Sequence, residues 1–153
     1  MIKPPAFICF LLFFGFLFVS CEDKYDLDKI AEEDEKKIQK FIEENDLDAE
    51  RHPSGLYYVI EEEGSGDNPT SDSFVEITYK STRLNGDLIS QNQNFTLNLS
   101  NEMEGLRIGI PLFKRGGEGI LIIPTALTFA DHYYNPYQTS NVVVYYIELI
   151  DFL

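Results

Sequence analysis

Polar and apolar residues follow two different periods along this chain. Over residues 22–51 the sparse apolar residues Leu27, Ile30, Ala31, Ile38, Phe41 and Ile42 recur at helical spacing among acids and lysines. One thin apolar stripe of this kind predicts a single amphipathic helix, roughly Asp28 to Glu44, whose charges form a solvated face. From Gly55 onward the period changes to two. Gly55–Ile60 is rich in β-formers and runs into the turn-prone stretch Gly64–Pro69. Val75, Ile77 and Tyr79 alternate with Glu76, Thr78 and Lys80, which predicts a half-buried strand. Asn85-Gly86 marks a tight turn, and Phe95, Leu97 and Leu99 then alternate with Thr96, Asn98 and Ser100. Gly119–Ile123 reads as a strand stopped by Pro124, and Val142–Leu149, apolar on nearly both faces, as a central strand. Between Gly105 and Lys114 there is room for one short helix, because Pro111 is tolerated in a first turn and not in a helix interior. The pattern predicts an α+β fold: a curved antiparallel sheet of five to six strands wrapped around one short helix, preceded by the amphipathic helix.

The first residues belong to neither period. Lys3 precedes an unbroken apolar run, Ala6 to Val19. As a helix this run would reach only about 21 Å, short of the ~30 Å hydrocarbon core, so it fits the apolar region of a signal peptide better than a membrane span. Phe18-Val19-Ser20-Cys21 resembles a loose bacterial lipobox, which implies cleavage before Cys21 and acylation, palmitate included, at that cysteine. An uncleaved single-pass anchor is the alternative, and either one tethers the chain to a membrane. The expected organisation is a signal peptide over 1–20, an acidic tether with the amphipathic helix over 21–53, and a folded domain over 54–153. Acidic residues close behind Cys21 resemble signals that send some lipoproteins to the cell surface.

Composition narrows the partners. The 153 residues carry a formal charge of -14, with a pI near 4.4. No basic footprint exists for nucleic acid, and attachment to an anionic membrane must come from lipid rather than charge. Only Cys9 and Cys21 occur, and Cys9 lies inside the leader run, so no disulfide or cysteine metal site is expected in the mature chain. His52 and His132 lie far apart with no ligand-like spacing, and no metal or cofactor is expected.

The order of strands and helix, with these residues, resembles the FKBP family of peptidyl-prolyl cis-trans isomerases. Val75–Tyr79 matches its opening core strand, Gly105-Leu106 stands at its Gly-Trp, and Gly116-Gly117 followed by Ile120–Pro124 matches its glycine pair and the strand ending in Ile-Pro. Leu127–Ala130 replaces its Leu-Ala-Tyr-Gly, and Val143–Leu149 matches the closing strand. The resemblance covers about Ser54 to Leu153. It implies a pocket for a proline ring, with Tyr79, Phe95 and Tyr145 as aromatic walls and Met103 offering its N–H to the substrate carbonyl. Five positions depart from the family's pattern: Leu106 for the floor Trp, Phe129 for a Tyr, Ser90 for an Asp, Ile89 for a Phe, and Tyr137 in the register of an Ile-Pro-Pro loop. Such a pocket needs no nucleophile, acid, base or metal. The prolyl bond isomerises over ~18–20 kcal/mol because rotation breaks amide resonance, and enclosure away from water favours the twisted, less polar amide. The resemblance thus implies a monomeric isomerase, of reduced activity, acting on proline-containing polypeptides. It would be lipid-anchored in the envelope of a Gram-negative bacterium, most simply at the outer membrane. The alternatives are a peptide- or protein-binding module without catalysis, and a purely structural envelope component.

Overall fold

A strand that buries every second side chain on one face must find a helix or a second layer to cover that face, and here both faces are covered in part. The computed structural model describes residues 27–128 and 141–153. In chain order it contains helix α1 (Leu27–Glu44) and strands β1 (Glu50–Arg51), β2 (Tyr57–Glu62), β3 (Phe74–Arg83) and β4 (Leu88–Asn98). Helix α2 (Glu104–Gly109) and strands β5 (Gly117–Ile123) and β6 (Val143–Phe152) follow. Single 3-10 turns occupy Leu99–Asn101, Ile110–Leu112 and Thr125–Leu127. All neighbouring strands pair antiparallel in one six-stranded sheet of order β1-β2-β5-β6-β3-β4. The closing strand β6 is therefore interior, as its two-sided apolar pattern predicts, and β4 is an edge. Gly86 turns the β3–β4 connection with φ 87°, a conformation that glycine adopts without strain. The short helix falls where expected, and Pro111 sits in the first turn of the 3-10 segment that continues it.

The inner face carries Val75, Ile77, Leu97, Leu121, Ile123, Ile147 and Leu149, which bury against Leu106, Ile110 and Phe113 of the α2 region. Two glycines let α2 approach this closely. A Cβ on Gly105 would overlap Ile123, and one on Gly109 would overlap Leu121. The helix thus lies directly on β5.

On the outer face the apolar stripe of α1 is buried, while two of its acids depart from the expected solvated face. Ile38 of α1 is 1% exposed and packs with Tyr57, Ile120, Ile122, Val142 and Val144, flanked by Phe41 and Ile42, so α1 closes a second core behind the sheet. Two of its acids are engaged as well. Asp34 is buried at 2% exposure, its Oδ2 accepting the Thr125 N–H at 2.8 Å. Glu35 Oε1 accepts the Tyr57 hydroxyl at 2.6 Å, Gln39 Nε2 donates to that hydroxyl at 2.7 Å, and Arg51 lies 3.6 Å from Glu35. The Tyr57 hydrogen bond holds the Glu35 carboxyl below its ordinary range against a smaller opposing effect of burial. The reason is geometric: Asp34 sits four residues after Ile30 and four before Ile38, within the apolar stripe rather than across from it. Among the described residues no helix is long and apolar enough to cross a membrane.

Candidate functional site

Three aromatic rings meet on the inner face, each delivered by a different strand. Tyr79 of β3 has its ring centroid 6.0 Å from that of Phe95 on β4, edge to face, and 5.7 Å from that of Tyr145 on β6. Register explains the meeting. Ile77 pairs with Phe95 and Ser81 with Tyr145, so all four share the inner face with Tyr79. A register shift opposite Thr78, where Asn94 adopts φ 50°, separates the Ile77–Phe95 pair from the Tyr79–Asn92 pair. The three rings expected as walls are thus brought together.

The inner face also carries Met103 and Leu106. Both belong to the inner core, against which Tyr79 and Tyr145 pack. Met103 caps α2: its carbonyl accepts from the Leu106 and Arg107 N–H groups, while its own N–H precedes the first intrahelical bond. Leu106, expected as the floor, is only 3% exposed and belongs to the packed core. The Ser90 hydroxyl lies 3.2 Å from the Tyr79 hydroxyl, and the Ser90 carbonyl accepts from Ser81 Oγ at 3.3 Å. Ile89 takes the extra place at a second register shift, between the Ser81–Ser90 and Thr82–Leu88 pairs, and is 48% exposed. Phe129 and Tyr137 lie outside the described residues.

The electrostatics of the site favour neutral groups. Burial pushes the Tyr145 phenol up to about 12, with Tyr79 and Glu102 adding to the rise and Ser81 opposing it. Burial also raises the Glu102 carboxyl. Ser81 and Glu102 are the site neighbours that sequence reasoning missed. The signal for Ser81 was its place two residues after Tyr79, on the same strand face; Glu102 lay in a segment with no periodicity to place it. What the arrangement offers is apolar and aromatic surface, neutral hydroxyls and one helix-capping N–H, with no nucleophile positioned against a base. Among the described residues no group of three or more acids, histidines or cysteines is placed to hold a metal. An open groove of about 650 Å³ runs along the outer face, between Glu61, Lys80, Gln91, Glu118, Tyr146 and Glu148, and reaches Tyr79. Its open, charged lining suits an imino-acid ring less well than the aromatic group does.

Known proteins resemble this chain. A family model described as FKBP-type peptidyl-prolyl cis-trans isomerase matches residues 66–150. The FKBP-type peptidyl-prolyl cis-trans isomerase FkpA of Buchnera aphidicola subsp. Acyrthosiphon pisum is 28% identical over 102 residues, 64% of this chain and 42% of its own length. FkpA of Escherichia coli K12 is 24% identical over 131 residues, 82% of this chain and 48% of its own. The chain therefore spans less than half the length of these curated relatives. Among solved structures, the crystal structure of Escherichia coli FkpA superposes with a TM-score of 0.67 at 24% identity, over 82% of this chain and 62% of that one. A peptidyl-prolyl cis-trans isomerase from Pseudomonas syringae pv. tomato gives 0.68 at 18% identity, over 82% and 94%. The two superpositions establish the fold, and the family match, spanning more than half of the chain, establishes its membership. The chain belongs to the FKBP-type peptidyl-prolyl cis-trans isomerase family.

Proposed function

We propose that this protein is a weak peptidyl-prolyl cis-trans isomerase acting on Xaa-Pro bonds of envelope proteins. One observation carries the reading: the Tyr79 ring meets those of Phe95 and Tyr145, and Tyr79 and Tyr145 pack against the apolar core that holds Met103 and Leu106. A proline ring held there leaves its amide free to twist where water does not stabilise the planar, polar form. The Met103 N–H is the donor for the substrate carbonyl. The reduced rate follows from Ser90, which meets the Tyr79 hydroxyl with a neutral hydroxyl where the family places a carboxylate, and from Leu106, which fills its place without an aromatic face. The reading includes lipid attachment at Cys21, a location in the envelope of a Gram-negative bacterium, most simply the outer membrane, and a monomeric state. It is supported by the apolar leader, the lipobox-like residues before Cys21 and the acidic charge.

NMR exchange spectroscopy on a short Ala-Xaa-Pro peptide with catalytic amounts of protein tests the activity. Exchange above the uncatalysed rate, which turns over in tens to hundreds of seconds, is the expected result. A second reading, a peptide-binding module without catalysis, draws on the buried Leu106. Peptide-dependent shifts at Tyr79 and Tyr145 without faster exchange decide for it. Labelled palmitate incorporated by the wild type and lost in Cys21→Ala is expected of the anchor.

A further inference from the structure

A buried carboxylate with half of its acceptors unused requires a reason, because an unmatched buried oxygen costs stability that an apolar residue of similar size would not. Asp34 is such a group. Its Oδ2 accepts the Thr125 N–H at 2.8 Å, and its Oδ1 is buried with no hydrogen-bond partner among the described residues. The residue it holds is a junction. Thr125 Oγ1 accepts the Asn141 N–H at 2.9 Å, and the Thr125 carbonyl accepts the Thr128 hydroxyl at 2.7 Å. One carboxylate of α1 therefore fixes the chain leaving β5 and, through Thr125, the chain entering β6. Both lead to the aromatic group. Leu127, in the same 3-10 turn, is buried in one core with Met103 and Leu106, and Asn141 stands four residues before Tyr145.

We infer that Asp34 is a positioning residue for the candidate site, a carboxylate of the N-terminal helix that sets the Thr125 turn and through it the placement of Leu106 and Tyr145. Glu35, its neighbour, fastens the same helix to Tyr57 and Arg51 and does not touch the Thr125 turn. Docking and positioning are thus divided between consecutive acids. The effect on catalysis rests on the isomerase reading; the effect on the site's geometry does not.

The test uses the full chain. Asp34→Leu removes the acceptor while keeping the volume apolar, Asp34→Asn keeps an acceptor oxygen, and Tyr57→Phe loosens α1 through Glu35 while leaving Asp34 in place. Amide exchange at Thr125, the ring resonances of Tyr79 and Tyr145, and kcat and KM for prolyl exchange are measured on each. In Asp34→Leu the Thr125 amide is expected to exchange about a hundredfold faster, reporting local opening. The ring signals shift, and kcat falls about tenfold with KM little changed, as misplacement of site groups produces. Asp34→Asn restores all three, and Tyr57→Phe lowers the melting temperature without moving them. The inference is overturned if Asp34→Leu and Tyr57→Phe behave alike, losing stability with ring signals and per-molecule rate intact. Should Asp34→Leu not fold, Thr125→Val keeps the Asp34 bond and cuts the one to Asn141; a shift at Tyr145 supports the coupling and its absence refutes it. If the wild type accelerates no prolyl exchange, the isomerase reading fails, while amide exchange and ring signals still decide the role of Asp34.

Discussion

The hydroxyls of Tyr79 and Ser90 lie 3.2 Å apart, and a pair of neutral hydroxyls orients a ring less firmly than a hydroxyl bound to a carboxylate. Ser90→Asp is therefore expected to raise the prolyl exchange rate about tenfold, and Tyr79→Phe in the same background to cancel the gain, both read by NMR exchange. Leu106→Trp is a poorer route to a faster enzyme, because a larger ring at a position 3% exposed overpacks the floor. Tyr145 carries a pH signature. A phenol raised from its ordinary value near 10 to about 12 contributes stability that is complete below pH 10 and is lost as pH climbs through about 12. Tyr145→Phe should remove one late step from the alkaline tyrosinate absorbance and flatten the loss of stability between those values. Residue-scale chemistry was unevenly legible in the sequence. The meeting of the three rings was readable because strand alternation puts Tyr79 on one face with Ile77 and Ser81, the partners of Phe95 and Tyr145. The burial of Asp34 was written in the Ile30–Asp34–Ile38 spacing, yet a charge count treats every acid of α1 as equally wet. Phe129 and Tyr137 lie beyond what the structure describes.

At the scale of elements, the legible parts were those with a strong period or a hard constraint. β3 and β6 follow alternation and two-sided apolarity, and α2 is short where Pro111 demands it. β1 was not legible, since Glu50 and Arg51 are both exposed and charged, and they form a strand only because β2 offers them an edge. Likewise, the docking of α1 depends on the outer surface of β5 and β6, which no local pattern in residues 27–44 describes. The contact between α2 and β5 makes an element-scale prediction. Ala at Gly105 or at Gly109 drives a methyl into Ile123 or Leu121, both fully buried. Each substitution should cost about 1–3 kcal/mol in chemical denaturation, as overpacking does. Because α2 carries Met103 at its cap and Leu106 in its first turn, Gly105→Ala should also depress prolyl exchange more than its loss of stability accounts for.

For the whole molecule, the question is where the foldable unit begins. The family match starts at residue 66, after α1, β1 and β2 have already passed. Those elements are not appendages in energetic terms. β2 supplies the partner for β5 on the side away from β6, and α1 covers Tyr57, Ile120, Ile122 and Val144 on the outer face. A chain cut to residues 66–150 would leave the edge of β5 unpaired and that apolar surface open to water, and such edges and patches associate. It is expected to be aggregated or partly unfolded, with weak near-ultraviolet dichroism and concentration-dependent light scattering. A chain starting at residue 45 restores the β5 partner and leaves the outer patch bare, so it should fold with lowered stability and self-associate as concentration rises. Ile38→Ala in the full chain isolates the packing contribution of α1, and a cost of about 2–4 kcal/mol is expected for an isoleucine this deeply buried. One cooperative unfolding transition for the full chain, reported alike by Tyr145 in the inner core and by a probe on α1, follows if the two cores are a single unit. Separate transitions would show that α1 leaves the sheet before the sheet melts, and the helix would then be a tether after all.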